Sequence, residues 1–389
     1  MAYISSNNNR FYVAVEPAYG TVAAIAAQNR IPAVKLAARQ KLDSPARKDK
    51  TGSRTFAGNP SGQRRVTDFE LTTYMTGWAN QTQEPPHGPL FHACLGSSVT
   101  LSNGGTVATV PNATTIQFNA PHGLVPGQAV TSGNDIRFVT AIVDTQTIQV
   151  NAPFTVTPTV GSVTTPTATY QTATDLPSAS VFDYWSPGTA VHRVFCGSAA
   201  SKLQVKLNSD YHEFVFSGQA CDVVDSASFQ SGQGALTSFP VEPVVGPINY
   251  SIIPGHLGQV WLGATPNQFL TLTAAHLTVD NSIDLRAREF GSLLPRAISP
   301  GSRAVTLDFS LFQLDDTATA SLYQAARQRS PMTVMLQLGQ QQGQLFGIYL
   351  KSVIPEVPAY DDSQTRLQWS FQSSRAQGGV NDEIYVAFA

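Results

Sequence analysis

The chain has 389 residues, 42% of them hydrophobic, and a formal net charge of −2. That length suits two or three domains, and the near-neutral charge excludes a general electrostatic attraction to nucleic acid or membranes. No apolar run reaches the roughly 18 residues of a membrane-spanning helix, so none is expected.

Charged residues make up only 13% of the chain, about half of the ~25% that is usual. A polar but weakly charged surface suits a protein buried in a large assembly, because each buried charge must be desolvated. An ordinary threonine-rich β protein is the alternative that composition leaves open.

The N-terminal segment is MAYISSNNNRFYVAVEPAYG. It lacks the basic stretch and apolar core of a signal peptide. The cysteines at 94, 196 and 221 lie far apart in apolar stretches, which favours buried reduced thiols over a disulfide framework or a zinc site. We therefore expect the protein to be made in a cytoplasm.

Two similar segments lie far apart in the chain: GQRRVTDFELTTY at 62–74 and GSRAVTLDFSLFQL at 301–314. Each follows an alternating apolar stretch and a loop rich in charge, glycine and proline, at 32–62 and 271–301. The same order of features in both places predicts an internal duplication.

A helix is predicted after each of these segments. In the second copy, DDTATASLYQAARQRSP has candidate N-caps at 315–317 and ends before Pro331. In the first copy, PPHGPLFHACLG places Pro89 in the first helical turn and ends at Gly96. Alternating strands follow both helices, so each copy is predicted as β, long loop, β, helix, β-hairpin, β.

Residues 99–170 have no counterpart in the second copy. Their only charged residues are Asp135, Arg137 and Asp144, and short strands alternate with Pro-Gly and Asn turns. This pattern predicts a small inserted sandwich or barrel. A domain inserted between neighbouring chain ends costs little, so we expect the insert to be dispensable for the fold of the rest.

The predicted fold is mainly β with a few short helices. It comprises two β-sandwich or half-barrel domains and the small inserted β-sandwich. The first domain is discontinuous, at 1–98 and 171–245, around the insert at 99–170; the second covers 246–389. A proline-rich stretch, 240–268, connects the two copies.

No motif predicts catalysis, cofactor binding or a metal site. The chain lacks H-E-x-x-H, G-x-S-x-G, Walker A and G-x-G-x-x-G sequences, and has no His/Cys cluster at metal spacing. His122 lies in a turn-like APHGL. The acidic pairs at 315–316 and 361–362 are interpreted as a helix cap and a turn rather than as catalytic carboxylates. The protein is therefore not expected to be an enzyme.

Basic residues are concentrated between residues 30 and 65, with one aromatic residue, Phe56, among them. A nucleic-acid patch, a solvated loop and a loop that docks on an acidic face of a neighbouring subunit are the three interpretations. The scarcity of aromatic residues weighs against base stacking. The docking loop is preferred, and its candidate contacts are Arg47, Lys48, Lys50 and Arg54.

Both copies resemble a known family. The segment ARKDKTGSRTFAGNPSGQRRVTDFELTTYM with its following helix is similar to phage major tail proteins, the tail tube subunits of long-tailed phages. The C-terminal run containing LTVDNSIDLRAREFG, PGSRAVTLDFSLF, LYQAARQ, LQWSFQSS and NDEIYVAF is similar to them too. The resemblance covers about 310 of the 389 residues.

The resemblance implies a structural virion protein whose domains associate side by side, so that their strands line a channel for DNA. Rings stack, the long loop reaches the adjacent ring, and the insert decorates the exterior. The implied partners are further copies of this chain and other tail proteins (tape measure, terminator and distal tail protein), with non-specific passage of DNA and no membrane. The implied location is the virion tail, after assembly in the host cytoplasm.

A tail tube ring commonly has six tube domains, so a chain with two of them implies homotrimeric rings with pseudo-sixfold symmetry. Covalent linkage also raises the effective concentration of one domain for the next. A distal tail or baseplate hub protein with the same fold is the main alternative. A secreted carbohydrate-binding module is disfavoured because no export signal is visible.

Overall fold

The computed structural model describes residues 3–43, 49–56, 58, 62–78, 81–245, 251–363 and 365–389. The protein is mainly β, as predicted, and two α-helices lie in the described part.

The first part of the chain forms β1 (Asn9–Val15), β2 (Arg30–Ile31), β3 (Ala33–Leu42), β4 (Arg65–Tyr74) and α1 (Gly88–Leu95). It continues with β5 (Thr100–Ser102), β6 (Val107–Asn112), β7 (Thr115–Phe118), β8 (Ala129–Ser132), β9 (Asp135–Ile142), β10 (Thr147–Val150) and β11 (Thr167–Gln171). Next come β12 (Ala179–Trp185), β13 (Arg193–Leu207), β14 (Glu213–Ala220) and β15 (Asp222–Asp225).

The second part begins with β16 (Gly258–Gly263), β17 (Asn267–Gln268), β18 (Leu272–Asp280), β19 (Asp284–Leu285), β20 (Ile298–Ser299), β21 (Ala304–Phe312) and α2 (Thr317–Gln328). It ends with β22 (Met332–Leu338), β23 (Phe346–Ile354), β24 (Ala359–Asp361), β25 (Gln368–Ala376) and β26 (Tyr385–Phe388). Asp316 caps α2, since its carboxylate accepts a 2.7 Å hydrogen bond from the Thr319 amide.

The strand pairings of the first copy recur in the second. The antiparallel pairs of the first copy are β2–β1, β1–β12, β12–β13, β13–β15, β13–β14, β14–β4 and β4–β3. Their counterparts are β17–β16, β16–β22, β22–β23, β23–β26, β23–β25, β25–β21 and β21–β18. Phe69 and Phe309, from the repeated Asp-Phe pairs, are both buried in the core.

Each copy packs its strands in two layers. In the first copy, β3, β4, β14 and the C-terminal half of β13 form one layer, and β2, β1, β12 and the N-terminal half of β13 form the other. Leu71 of the first layer and Val13 of the second lie in one apolar core with Leu90 of α1. The helix thus fills the core of the sandwich.

The two copies are joined through β13 and β18, which pair antiparallel. Leu203 lies opposite Val279, and Val205 lies opposite Leu277; all four side chains are buried. One layer therefore continues through both copies in the order β3–β4–β14–β13–β18–β21–β25–β24. We call this the continuous layer.

Aromatic side chains of both copies meet at this joint. The rings of Phe214 and Phe346 have centroids 4.9 Å apart, and Phe91 of α1 lies 5.4 Å from Phe346 and from Phe388. His87, at the start of α1, stacks on Phe388 at 6.0 Å. One hydrophobic core thus extends across the copies.

Strands β6 to β10 form a separate five-stranded sheet in the order β6–β7–β10–β9–β8. By contrast, β5 pairs with β11, and β11 pairs with β26 of the second copy. Residues 100–102 and 167–170, which the predicted insert range of 99–170 includes, thus belong to the large sheet. The separate sheet is confined to 107–150.

The insert packs on the second copy through buried side chains. The prediction that the insert is dispensable did not include this contact. Phe138 stacks on Tyr349 at 5.5 Å, within a buried cluster that also contains Ile136, Trp261 and Tyr385. The other layer of the second copy consists of β17, β16, β22, β23 and β26, and we call it the outer layer. The insert packs on the side of the outer layer that faces away from the continuous layer.

A buried arginine fixes this contact. Arg137 donates hydrogen bonds to the side-chain oxygens of Gln337 (3.2 Å) and Gln259 (3.1 Å), and its guanidinium lies 5.1 Å from the ring centre of Trp261. Asp135 approaches it to 3.5 Å. Burial lowers the pKa of Arg137 to about 10, so the side chain stays charged at neutral pH.

Candidate assembly interface

The continuous layer ends in two edge strands. Within the described residues, β3 pairs only with β4 and β24 pairs only with β25. An edge strand exposes a row of unpaired N–H and C=O groups, which is a template for pairing with another chain. A free edge as long as the ten residues of β3 is therefore a candidate interface.

The sequence of β3 gives its two faces different characters. Leu36 lies opposite Leu71 of β4, and so faces the core, whereas Arg39 lies opposite Asp68 on the other face. Lys41, on the same face as Arg39, forms an ion pair with Asp68. Desolvation alone would raise the pKa of Asp68, but hydrogen bonds from Lys41 and Gln219 outweigh it and lower that pKa.

The other edge strand, β24, is short because two prolines precede it. Pro355 and Pro358 have no N–H to donate to a ladder, and they separate β24 from β23. The ring of Tyr360 packs edge-on against Trp369 with centroids 5.8 Å apart. The strand ends where the Asp361 carboxylate accepts a hydrogen bond from the Ser363 amide at 3.0 Å, an Asx turn.

The pairing of β13 with β18, here called the internal joint, shows how an edge of this layer is covered by a neighbouring strand. Tyr360 lies opposite Trp369, which lies opposite Leu311. In the first copy, Leu203 lies opposite Phe216, which lies opposite Leu71. Tyr360 is thus the counterpart of Leu203.

By the same comparison Leu42, opposite Arg65, is the counterpart of Val279, opposite Val305. Leu203 and Val279 meet at the internal joint and are 0% exposed, whereas Tyr360 and Leu42 are 56% and 58% exposed. Each free edge therefore exposes a residue whose counterpart is buried at the internal joint.

The helices differ in the same way. All residues of α1 except His92 are buried, since α1 lies where the second copy covers the first. Helix α2 lies beside the free edge strand β24. It buries Thr319, Leu322 and Ala326, while Tyr323 lies near Tyr360 with ring centroids 6.5 Å apart. The outer side of α2 is left uncovered in the single chain.

The two long loops leave the same end of the continuous layer, because β3 and β18 run in the same direction. The first long loop connects β3 to β4, and the second connects β18 to β21. They are in contact at their base: the Arg64 guanidinium donates to the Glu289 carbonyl at 3.2 Å, and the Arg65 amide donates to the Leu293 carbonyl at 3.0 Å.

Two of the four predicted docking residues, Arg47 and Lys48, lie outside the described residues. The other two, Lys50 and Arg54, are exposed in the first long loop. The sequence predicted contacts in this loop but not at the edge strands β3 and β24. An alternating strand that carries several basic residues, as β3 does, was the available signal, since charge on a strand is typical of an exposed edge.

The face of the continuous layer that points away from the core is polar, with both charge signs interspersed. Its basic residues are Lys35, Arg39, Lys41, Lys202, Lys206 and Arg375, and its acidic residues are Asp68, Glu70, Glu213, Asp280 and Asp308. Lys202 lies opposite Asp280, and Lys206 lies opposite Glu213. Such cross-strand pairing leaves this face close to neutral.

The described part of the chain holds no group of three or more His, Cys, Asp or Glu side chains arranged to bind a metal ion. All three cysteines are buried free thiols, and burial raises the pKa of Cys94 and of Cys221 to about 12. No helix among the described residues is long and apolar enough to cross a membrane.

Neither a protein-family model nor a curated protein sequence matches the chain. The candidate interface is therefore defined by comparison of the free edges with the joint inside the same molecule.

Proposed function

We propose that this chain is a structural subunit that joins copies of itself edge to edge into closed rings, and that the rings stack into the tail tube of a long-tailed phage. One observation carries the proposal: Tyr360 and Leu42 are exposed at the free edges, whereas their counterparts, Leu203 and Val279, are buried against each other at the internal joint.

The proposed contact uses two different surfaces, β24 of one chain and β3 of the next. Such a heterologous interface produces a ring when its rotation closes. If the step between chains repeats the step between the two copies, every copy occupies an equivalent sector. Three chains then supply six sectors, the number that the resemblance to tail tube proteins implies.

The proposed channel wall is the polar face of the continuous layer. Its basic and acidic residues are nearly equal in number and face each other on neighbouring strands. A wall of this kind neutralises few phosphates, so the counterion release that drives tight DNA binding stays small. DNA would slide along it instead of being held.

The insert is proposed to lie on the outside of the tube. In support, Phe138 and Arg137 pack on the side of the outer layer that faces away from the proposed channel. The long loops, at one end of the continuous layer, would contact the adjacent ring, and other tail proteins would bind at the two ends of the tube. The protein would then reside in the virion after assembly in the host cytoplasm, with no catalytic role.

The test uses the purified full-length chain, examined by sedimentation velocity and electron microscopy over a range of concentrations. Wild-type protein is expected to form rings or tubes. Leu42→Arg and Tyr360→Arg are each expected to remain single chains with unchanged melting temperature. Val143→Arg, at an exposed site on the insert, is the matched control and should assemble. Wild-type protein that stays a single chain under all conditions would refute the proposal.

A further inference from the structure

We propose that complementary charges on the two free edges set the direction and register of chain-to-chain pairing: Asp361 on one chain faces Lys41 and its neighbour Arg39 on a second copy, and Asp362 adds to the negative charge of the first edge. This inference rests on the proposed self-assembly, and it identifies the residues that select the partner edge.

The register follows from the internal joint. There, Gln204 lies opposite Thr278, one position along from the pair of Leu203 and Val279. Gln204 lies opposite Val215, and Asp361 lies opposite Gln368 at the matching position of the second copy. Asp361 is therefore the counterpart of Gln204.

On the other edge, Lys41 lies opposite Val66, as Thr278 lies opposite Thr306. Lys41 is therefore the counterpart of Thr278. Transferring the internal register to two chains places Asp361 directly opposite Lys41. Arg39, two residues from Lys41 on the same face, is then the diagonal neighbour of Asp361. Asp362 follows the end of β24 and adds a second negative charge to that edge.

These four charged side chains are available for the contact. Asp361, Asp362, Arg39 and Lys41 are all exposed in the single chain. Lys41 already pairs with Asp68, at a site where the lysine is about half exposed, so a second carboxylate would join an existing pair. Exposed ion pairs stabilise a contact only weakly, so these charges act on specificity more than on affinity.

The internal joint carries uncharged side chains at the corresponding positions, Gln204 and Thr278. Its direction is fixed by the covalent chain, so it needs no charges to select a partner. Between separate chains, two β3 edges would bring basic residues together, and two β24 edges would bring carboxylates together. Repulsion in both symmetric pairings leaves β3 with β24 as the favoured combination, which gives rings rather than closed dimers.

A charge-swap experiment tests this inference with the full-length chain. Asp361→Lys/Asp362→Lys and Arg39→Glu/Lys41→Glu are each expected to weaken self-association roughly tenfold or more at low salt, because like charges then face each other. The variant that carries all four changes should recover wild-type ring formation. Melting temperatures show whether each variant is folded. If a variant is not folded, the milder Asp361→Asn/Asp362→Asn is measured in its place.

Mixing the two reversed proteins adds a second readout. Each joint between the two kinds of chain is then complementary, so mixed pairs and open alternating oligomers should form where neither protein associates alone. A closed ring of three chains cannot alternate, so the mixture should not close into the wild-type ring. If wild-type chains form rings and the reversed variants do so equally well, the charge inference is overturned while the proposed function stands. If wild-type chains do not associate at all, the proposed function itself fails.

Discussion

Leu203 and Tyr360 occupy matching positions in the two copies, yet Leu203 is fully buried and Tyr360 is 56% exposed. Each lies opposite an aromatic residue of the next strand, Phe216 for Leu203 and Trp369 for Tyr360. The difference comes from β18, which covers Leu203 and has no counterpart beside Tyr360 in the single chain.

Truncating Leu203 should therefore affect folding stability, whereas truncating Tyr360 should affect self-association. Leu203→Ala is expected to lower the free energy of unfolding by about 2–5 kcal/mol, as for other large-to-small changes in a core. Tyr360→Ala should change that free energy little and weaken self-association instead. Chemical denaturation and sedimentation measure the two quantities. A Tyr360→Ala protein that assembles like wild type would argue against the edge contact.

The insert is expected to be necessary for a soluble chain. Deleting 103–165 and bridging β5 to β11 with glycine and serine would expose Met335, Tyr349 and Tyr385, which now pack under the insert. We expect aggregation of this variant in several linker lengths. A soluble deletion protein that forms rings would show that the contact is not required.

A point substitution tests the same contact without the deletion. Phe138→Ala should destabilise the protein by about 3–5 kcal/mol because its ring is fully buried between the insert and β23. Phe118→Ala, in the insert's own core, is a comparison for damage confined to the insert. Protease cleavage within 107–150, with the rest intact, would distinguish local loosening from global unfolding.

Acid should weaken the joint between the copies. His87 is buried between Thr73, Tyr74 and Phe388, and its burial lowers its pKa from 6.5 to about 4. The unfolded chain thus binds more protons between these two values, so stability is complete above pH 6.5 and is lost as pH falls toward 4. The loss amounts to about 3 kcal/mol, from 1.36 kcal/mol per pKa unit.

The comparison that isolates this histidine is His87→Gln, whose amide can still donate to the Tyr74 carbonyl. Unfolding free energies measured from pH 7.5 to pH 4 should fall less steeply for the variant than for wild type. Some slope should remain, because burial also lowers the pKa of His212. Equal slopes in both proteins would contradict the assignment.

The first long loop is expected to contact the next ring. Lys50→Glu/Arg54→Glu should block stacking while leaving the single chain folded, since both residues are exposed in a loop. High salt should weaken stacking of the wild type as well. Lys351→Glu, at an exposed site on the outer layer, is the control. Tubes of normal length from the double variant would rule out this role.

Some of the fold followed directly from residue patterns. The repeated Asp-Phe pairs predicted two matching strands, and Phe69 and Phe309 are buried in equivalent places. The Asp315–Asp316 pair predicted a helix start, and Asp316 caps α2. These features are local, so alternation and capping are enough to find them.

The joint between the copies was not predictable in this way. Pairing of β13 with β18 joins residues about 75 positions apart, and periodicity says which face of a strand is apolar but not which strand lies beside it. The insert contact was missed too, although Asp135 and Arg137 supplied a signal. Two charges in an almost uncharged segment need a partner, and theirs is the outer layer of the second copy.

The central claim is that each chain supplies two equivalent sectors of a closed ring. A three-dimensional reconstruction of assembled tubes, with native mass measurement of single rings, tests it most directly. We predict three chains per ring, strands β24 and β3 paired between neighbouring chains, and three external lobes from the insert. Rings of six chains with six lobes, or rings in which β3 and β24 remain unpaired, would contradict the account.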